Sequence, residues 1–442
     1  MSGHIMKKAL TLLFSLICIC TASHAAEKNS QREETYKNLE VFSNVLTLLQ
    51  EHYVDSIDPQ EVITGAINGM LTSLDPHSSY LSPDDFKELQ EETHGSFSGI
   101  GIEITVKDGL LTVVSPIEDT PAYLAGLEAG DQIIRIEDAL TKNMTLMEAV
   151  KKLRGKKGTK VSISVFRKGW QELKDFTLVR DEIPIHSVKS MELEPGLLYT
   201  RISNFQSNTT KDFREALRNH NKETPVEGMV LDLRNNPGGL LEQAVKVTDI
   251  FLEKGAIVST RGRYEDQDIV FEAQVDDEQY HFPIVILVNN GTASASEIVA
   301  GALQDHGKAI VLGTETFGKG SVQTIVPMPD GAGLRLTTAR YYTPSGDSIQ
   351  ATGIKPDITV EFVPPDIDAS IQKNGYRFVR EKDLPRHLQN DNHKADDKKE
   401  AAEENQEDDE KISEAAQRLQ RDNQLRTALL ILKSLRIAEK KS

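Results

Sequence analysis

Cysteine is nearly absent: the 442 residues hold two, Cys18 and Cys20, both inside an N-terminal apolar run. If that run is removed, the mature chain has neither a disulfide framework nor a thiol nucleophile. Positive charge is also short. With 51 Lys and Arg against 68 Asp and Glu, the formal net charge is −17 and the pI about 5.2. That balance argues against a nucleic-acid partner, because phosphate binding relies on clustered Lys and Arg. The apolar run from Ala9 to Cys20 falls short of the roughly 20 residues that span a bilayer. No internal repeat is found.

The amino terminus has the pattern of a secretory signal: Lys7-Lys8, the apolar run, then Ser23-His-Ala25 with small residues at the cleavage positions. A mature chain beginning near Ala26 is expected, on the periplasmic side of a bacterial membrane. Ile17 and Ile19 precede the two cysteines, so no lipoprotein-like small-residue box is present and no lipid anchor is expected. The remaining length is enough for two or three domains with a sizeable core.

Two stretches carry the chemistry. Ile284 to Val288 is a run of branched apolar residues that predicts a buried strand, and Asn290-Gly291 then forces a sharp turn before a helical pattern that begins near Ala295. A strand, a turn and a helix N-terminus lift one hydroxyl clear of a sheet and point unpaired backbone N–H groups toward it. Ser294 is the best-placed hydroxyl. No His lies in this stretch or in Thr316-Phe-Gly-Lys-Gly-Ser-Val-Gln323, so a Ser-His-Asp arrangement has no obvious partner here. Lys319 is the alternative base. Gly318 and Gly320 let its backbone approach closely, and Leu312, Thr316 and Phe317 could exclude enough water to lower an amine's pKa. Gln323 cannot titrate, but its amide could orient the lysine or the hydroxyl. Singly, such a serine is a helix cap and such a lysine a solvated loop residue. Together they point to a nucleophile and its base.

Gly291-Thr-Ala-Ser-Ala-Ser-Glu297, followed by Thr316-Phe-Gly-Lys-Gly320 and Gln323, resembles the carboxy-terminal processing or tail-specific proteases of serine peptidase family S41. Asp232-Leu-Arg-Asn-Asn-Pro-Gly-Gly239, Leu336-Thr-Thr-Ala-Arg-Tyr-Tyr-Thr-Pro-Ser-Gly346 and the run Leu74-Asp-Pro-His-Ser-Ser-Tyr80 look like the same family, so the resemblance covers roughly residues 35 to 362. It implies Ser294 as nucleophile, Lys319 as general base and Gln323 as its orienting partner. It also implies oxyanion donors from the backbone of Ala295 and of Gly238 or Gly239, and places Asp305 with the catalytic set. His77 is expected to be a structural loop residue.

Before the core, Leu39, Phe42, Leu46, Leu49 and Tyr53 recur at helical spacing, and Asp58-Pro59 opens a second helix over Glu61 to Leu71. Ser98-Gly-Ile-Gly-Ile102, strands over Gly101 to Val106 and Leu110 to Val114, and Pro121-Ala-Tyr-Leu-Ala-Gly-Leu127 strongly resemble a PDZ domain. Such a module takes up an extended peptide as an added strand. Backbone N–H groups around Gly99, Ile100, Gly101 and Ile102 would cap the terminal carboxylate, and a helix from Thr145 to Leu153 would form the other wall of the groove. Arg154, at the end of that helix, is a candidate relay of peptide binding to the core. Beyond Pro184, strands over Leu197 to Ile202 and Gly228 to Leu233 alternate with helices from Thr210 and Leu241. Residues 388 to 411 are Asp-, Glu-, Asn- and Lys-rich with almost no apolar side chains and read as a disordered linker. Leu425, Leu429, Leu432 and Leu435 then line one face of a terminal helix.

The expected architecture is a multidomain α+β chain. Its parts are a signal peptide (1–25), an N-terminal helical region (26–95), an inserted PDZ domain (96–180), a crotonase-like βα serine protease core (181–365), a largely disordered linker (366–411) and a C-terminal helix (412–442). The expected activity is periplasmic endopeptidase cleavage near C-termini by a Ser-Lys dyad. No cofactor or metal is expected. The partners would be unfolded or flexible polypeptides with free C-termini, with a homo-oligomer and an adaptor protein as further associations. A noncatalytic PDZ adaptor or chaperone, and a crotonase-like acyl-CoA enzyme, are the rival readings.

Overall fold

The computed structural model describes residues 32–107, 109–142, 144–275, 278–364 and 414–439; the signal at 1–25 and the linker at 366–411 lie outside them. The chain falls into two compact units, 1–73 and 74–442. In the first, a helix covers 32–52 and a second covers Pro59–Thr72. Asp58 caps the second by accepting from the Gln60 amide, and Pro59 takes the first turn, where its missing N–H costs nothing. Leu39, Phe42 and Leu49 on the first helix are exposed.

The second unit is built on a six-stranded sheet in the order 188–194, 197–202, 228–232, 284–288, 309–313 and 358–359, parallel except for its first pair. Its central strands are unbroken apolar runs because both faces are covered. Leu198, Met229, Leu231, Ile284, Ile286 and Val311 point to one side, against the helices Thr209–Glu223, Leu241–Asp249 and Ala295–Asp305. Leu197, Tyr199, Val230, Val285, Leu287 and Leu312 point to the other, against the helix Asn423–Glu439. Burying Leu425, Leu429 and Leu432 there contributes roughly 5 kcal/mol or more. The rim pairs Lys433–Glu194 and Arg436–Glu227 add about 0–1 kcal/mol each. Apolar contact therefore holds this helix to the sheet.

A five-stranded antiparallel sheet stands beside the first and carries Ser321–Pro327 and Gly333–Tyr342, which pair with each other. The PDZ part is an antiparallel sheet of 102–107, 110–116, 132–136, 160–166 and 174–179, with 139–140 at its side, closed over Ile133, Ile136, Val161 and Val165 by the helix Leu146–Leu153. Thr145 and Glu148 form a capping box on that helix. The chain enters and leaves this part through one ribbon, in which Ser96–Gly99 pairs antiparallel with Asp181–Pro184.

Candidate active site

The strand Ile284–Val288 is wholly buried, and the loop after it is tied down at almost every residue. Thr292 Oγ1 donates to the Leu233 carbonyl at 2.8 Å, and the Ala293 amide donates to the Asn236 carbonyl at 2.9 Å. Ser294 is then held at φ 55°, ψ −117°, a conformation that costs a non-glycine residue of order 1–3 kcal/mol and persists only where the surroundings enforce it. The helix Ala295–Asp305 starts at the next residue. The expected strand-turn-helix presentation of this hydroxyl is what the structure contains.

Gly238 closes on Ser294 from the second strand-to-helix turn. At φ +103°, a Cβ on it would lie 2.8 Å from the Ala293 carbonyl oxygen and 2.9 Å from both the Ala295 nitrogen and Ser294 Cβ. Gly239, at φ +138°, is as constrained on its other side, where a Cβ would meet the Phe205 carbonyl oxygen at 2.2 Å. Glycine is required at both positions. The two differ in the state of their amides. Gly238 N–H donates to Asn236 Oδ1 at 2.9 Å, whereas among the described residues Gly239 N–H and Ala295 N–H have no such acceptor. Of the two expected glycine donors, Gly238 therefore has its amide committed to Asn236 and Gly239 does not.

Lys319 reaches the same place through a carboxylate for which sequence reasoning had no role. Glu297, one turn into the helix and wholly buried, accepts from Ser294 N at 2.8 Å and Lys319 N at 2.9 Å through Oε2. Through Oε1 it accepts from Gly318 N at 2.8 Å and from the Thr316 hydroxyl. Burial pushes this carboxyl up to about 7, and the four donors, led by Thr316, oppose the rise. The spacing Ser294-x-x-Glu297 is a capping-box signal; it could have marked Glu297 from sequence, although not its second hold on the lysine loop.

Ser294 and Lys319 are half-buried and line one cleft of about 1780 Å³, together with Gly239, Gln323, Phe271 and Tyr341. Gln323 Nε2 donates to Thr337 Oγ1 at 2.8 Å, and its Oε1 is buried with no hydrogen-bond partner among the described residues. Thr337 is braced in turn, since its amide donates to Ser78 Oγ and Ser78 Oγ donates to Asp75 at 2.8 Å. In the same loop His77 acts through its backbone, donating to Asp75 and accepting from Arg335 Nε.

Asp305 is not brought to the cleft. It ends the helix that Ser294 begins, about 16 Å away along the axis, and its carboxylate accepts from the Ser345 amide at 2.9 Å. A residue three turns along a helix cannot share the environment of its first turn. Its expected place with the catalytic set is therefore corrected to a tie between the helix end and the turn after Tyr342.

Ser96, Phe97, Ser98 and Gly155 of the PDZ part line the cleft, whereas Gly99 to Ile102 and Arg154 are not among its lining residues. Ile100 is buried and its carbonyl accepts from Ala122, while the Gly101 carbonyl accepts from Ile117, so the loop Gly99 to Ile102 is fixed from within its own fold. The helix Leu146–Leu153 packs on the strand that this loop begins. Arg154, at the helix end, lies 3.5 Å from Glu91 and 4.8 Å over the ring of Phe97. Glu91 and Phe97 both line the cleft. Among the described residues no cluster of His, Cys, Asp and Glu could hold a metal ion.

Three family profiles match the chain: Activating protease CtpB N-terminal domain at residues 17–85, PDZ domain at 98–178 and Peptidase family S41 at 196–360. A carboxy-terminal-processing protease of Bartonella bacilliformis is 48% identical over 335 residues, 75% of this chain and 77% of that protein. The carboxy-terminal processing protease CtpA of Bacillus subtilis is 38% identical over 71% of this chain and 67% of its own. A solved photosystem II D1 C-terminal processing protease is 33% identical, covering 72% of this chain and 86% of its own with a TM-score of 0.43. By the extent of the similarity to the Bartonella and Bacillus proteases, the chain belongs to peptidase family S41 and is a PDZ-containing carboxy-terminal processing serine protease.

Proposed function

We propose that this protease cleaves flexible polypeptides near their C-termini with a Ser294–Lys319 dyad, in the periplasm, after its PDZ domain has engaged the tail. The observation that supports the dyad is the single oxygen, Glu297 Oε2, that holds the backbone of both residues at the wall of one cleft. Ser294 Oγ attacks the scissile carbonyl carbon while its proton passes to neutral Lys319 Nζ. The carbonyl oxygen becomes an oxyanion and accepts from Ala295 N–H and Gly239 N–H, neither of which has an acceptor among the described residues. Collapse breaks the C–N bond, and the leaving amine takes the proton from Lys319. Water then attacks the acyl-serine, with Lys319 again taking the proton. Gln323 Oε1, unpartnered beside the dyad, accepts from the lysine and orients it.

Tail capture is supported by the loop Gly99 to Ile102 beside the groove helix, and Arg154 is the contact through which an occupied groove acts on the cleft. Export is supported by Lys7-Lys8, the apolar run and Ser23-His-Ala25. The exposed apolar residues of helix 32–52 suit self-association, which light scattering on the mature protein measures.

The dyad is tested by cleavage of β-casein and labelling with a fluorophosphonate. Ser294→Ala and Lys319→Ala are each expected to abolish both with folding retained; cleavage by Lys319→Ala would remove the lysine from the mechanism. Tail capture is tested by amidating a good substrate's C-terminus, which should slow its cleavage.

A further inference from the structure

Arg234 stands at the root of the 235–239 loop and is held by one carboxylate two residues before it and by another far along the chain. Nε and Nη2 donate to Asp232 Oδ1 and Oδ2 at 3.0 and 2.7 Å. Nη1 and Nη2 donate to Asp422 Oδ1 and Oδ2 at 3.1 and 2.6 Å, and Nη1 also donates to Gln424 Oε1 at 2.9 Å. Asp232 is wholly buried and also accepts from Tyr199 Oη at 2.8 Å. Asp422 is nearly so, and it caps the C-terminal helix by accepting from Leu425 N. A two-pronged guanidinium fixed by two two-pronged carboxylates has little rotational freedom left.

That geometry is passed on to the site. Arg234 N–H donates to Asp232, and the Arg234 carbonyl accepts from Arg201. Asn236, two residues on, donates to the Ile202 carbonyl, and its own carbonyl accepts from Ala293 N and Ser296 Oγ, the neighbours of the nucleophile. Asn236 Oδ1 accepts from Gly238 N. Displacement of Arg234 would therefore be felt at both oxyanion amides.

We propose that Asp422 is a positioning residue for peptide cleavage. By clamping Arg234 it holds the loop that presents Gly239 to Ser294, which makes the C-terminal helix a working part of the active site rather than a cover for the sheet. The leucines of that helix supply its attachment, and the Asp422 carboxylate supplies its register. The inference rests on the oxyanion assignment made above.

The experiment uses the full chain and reads kcat and KM on an internally quenched peptide, the rate of fluorophosphonate labelling of Ser294, and thermal unfolding. At a temperature where all variants are folded, Asp422→Asn should lower kcat and the labelling rate together by about tenfold or more, with KM within roughly twofold. Asp422→Glu should recover part of the loss. Leu432→Ala loosens the same helix without touching Arg234 and should lower the melting temperature while kcat stays near the parent's. In an Arg234→Met background, Asp422→Asn should add little further loss, because the cation it positions is gone. Parental kcat and labelling in folded Asp422→Asn would overturn the proposal, as would an equal kcat loss in Leu432→Ala. If Asp422→Asn does not fold, Asp422→Glu, which keeps the charge but displaces it by one methylene, takes its place, and parental kcat and labelling there overturn the proposal as well. Failure of the underlying reading looks different: the parent would cleave without being labelled at Ser294.

Discussion

The backbone amides of Ser294 and Lys319, 25 positions apart in the chain, donate to the same atom, Glu297 Oε2, at 2.8 and 2.9 Å. The proposed nucleophile and base are thus registered through a third residue, to which the proposed mechanism passes no proton. The other oxygen of the carboxylate holds Thr316 and Gly318 and keeps the lysine loop from turning about that single point.

Glu297→Gln should therefore cripple turnover without removing a reacting group. An amide turns its N–H groups either on the Ser294 and Lys319 amides or on the Gly318 amide, where only the Thr316 hydroxyl can rotate to accept, so at least one backbone contact becomes repulsive. A fall in kcat of about 100-fold with little change in KM is expected, on the scale of a lost oxyanion contact. Steady-state kinetics on the folded variant decides it, and a parental kcat would refute the clamp.

The same carboxyl gives the protein a pH signature. Its value in the folded protein, about 7, lies above the ordinary 4.5, so the folded state binds the proton more tightly than the unfolded chain does. The stabilisation is complete below 4.5 and is lost as pH rises through 7. The loss approaches about 3 kcal/mol, since each unit is about 1.4 kcal/mol. Urea unfolding of the parent and of Glu297→Gln across this range should show the parent's relative stability declining. A pH-independent difference between the two would contradict the assignment.

Gly238→Ala adds one carbon where Ala293, Ser294 and Ala295 already stand within 2.9 Å. Left-handed strain of about 1–3 kcal/mol is added to the overlap. The variant should melt lower and lose kcat by about 100-fold or more as the Ser294 turn is pushed away. A melting scan paired with fluorophosphonate labelling would show it; labelling at the parental rate would mean that the turn yields without cost.

Gln323→Ala and Asp305→Asn separate a residue at the cleft from one remote from it. The first removes an Oε1 that has no hydrogen-bond partner among the described residues, in the cleft of the proposed dyad, and should lower kcat about tenfold. The second weakens one exposed hydrogen bond to Ser345, at about 1 kcal/mol of stability, and should leave kcat near the parent's. A reversed order of the two kcat values would return Asp305 to the catalytic set.

Much of this was legible along the chain because it is local. Ile284 to Val288 is apolar at every position, and Asn290-Gly291 can only turn, so the strand and the exposed serine follow from their neighbours. The protease and PDZ resemblances rest on similarly contiguous runs, and membership of family S41 leaves the noncatalytic adaptor and acyl-CoA alternatives behind. Asp305 shows the limit of such reading. Its helix was evident, but whether a helix end lies at a cleft depends on the direction of the axis.

Apolar runs and turn residues are short-range signals, and from them the sequence alone determined which runs are strands and which hydroxyl follows the turn; why glycine must stand at 238 and 239 depends on Ala293 to Ala295 and on Phe205, which only the fold brings there. Tertiary structure decided which polar groups meet. Asp232 and Asp422 close on one guanidinium from positions 190 residues apart. Glu297 finds its donors only because the lysine loop folds back over its helix. A buried charge has to be satisfied, but nothing in the order of residues says by which distant partner; that is fixed when the apolar faces close and leave those atoms within reach of one another.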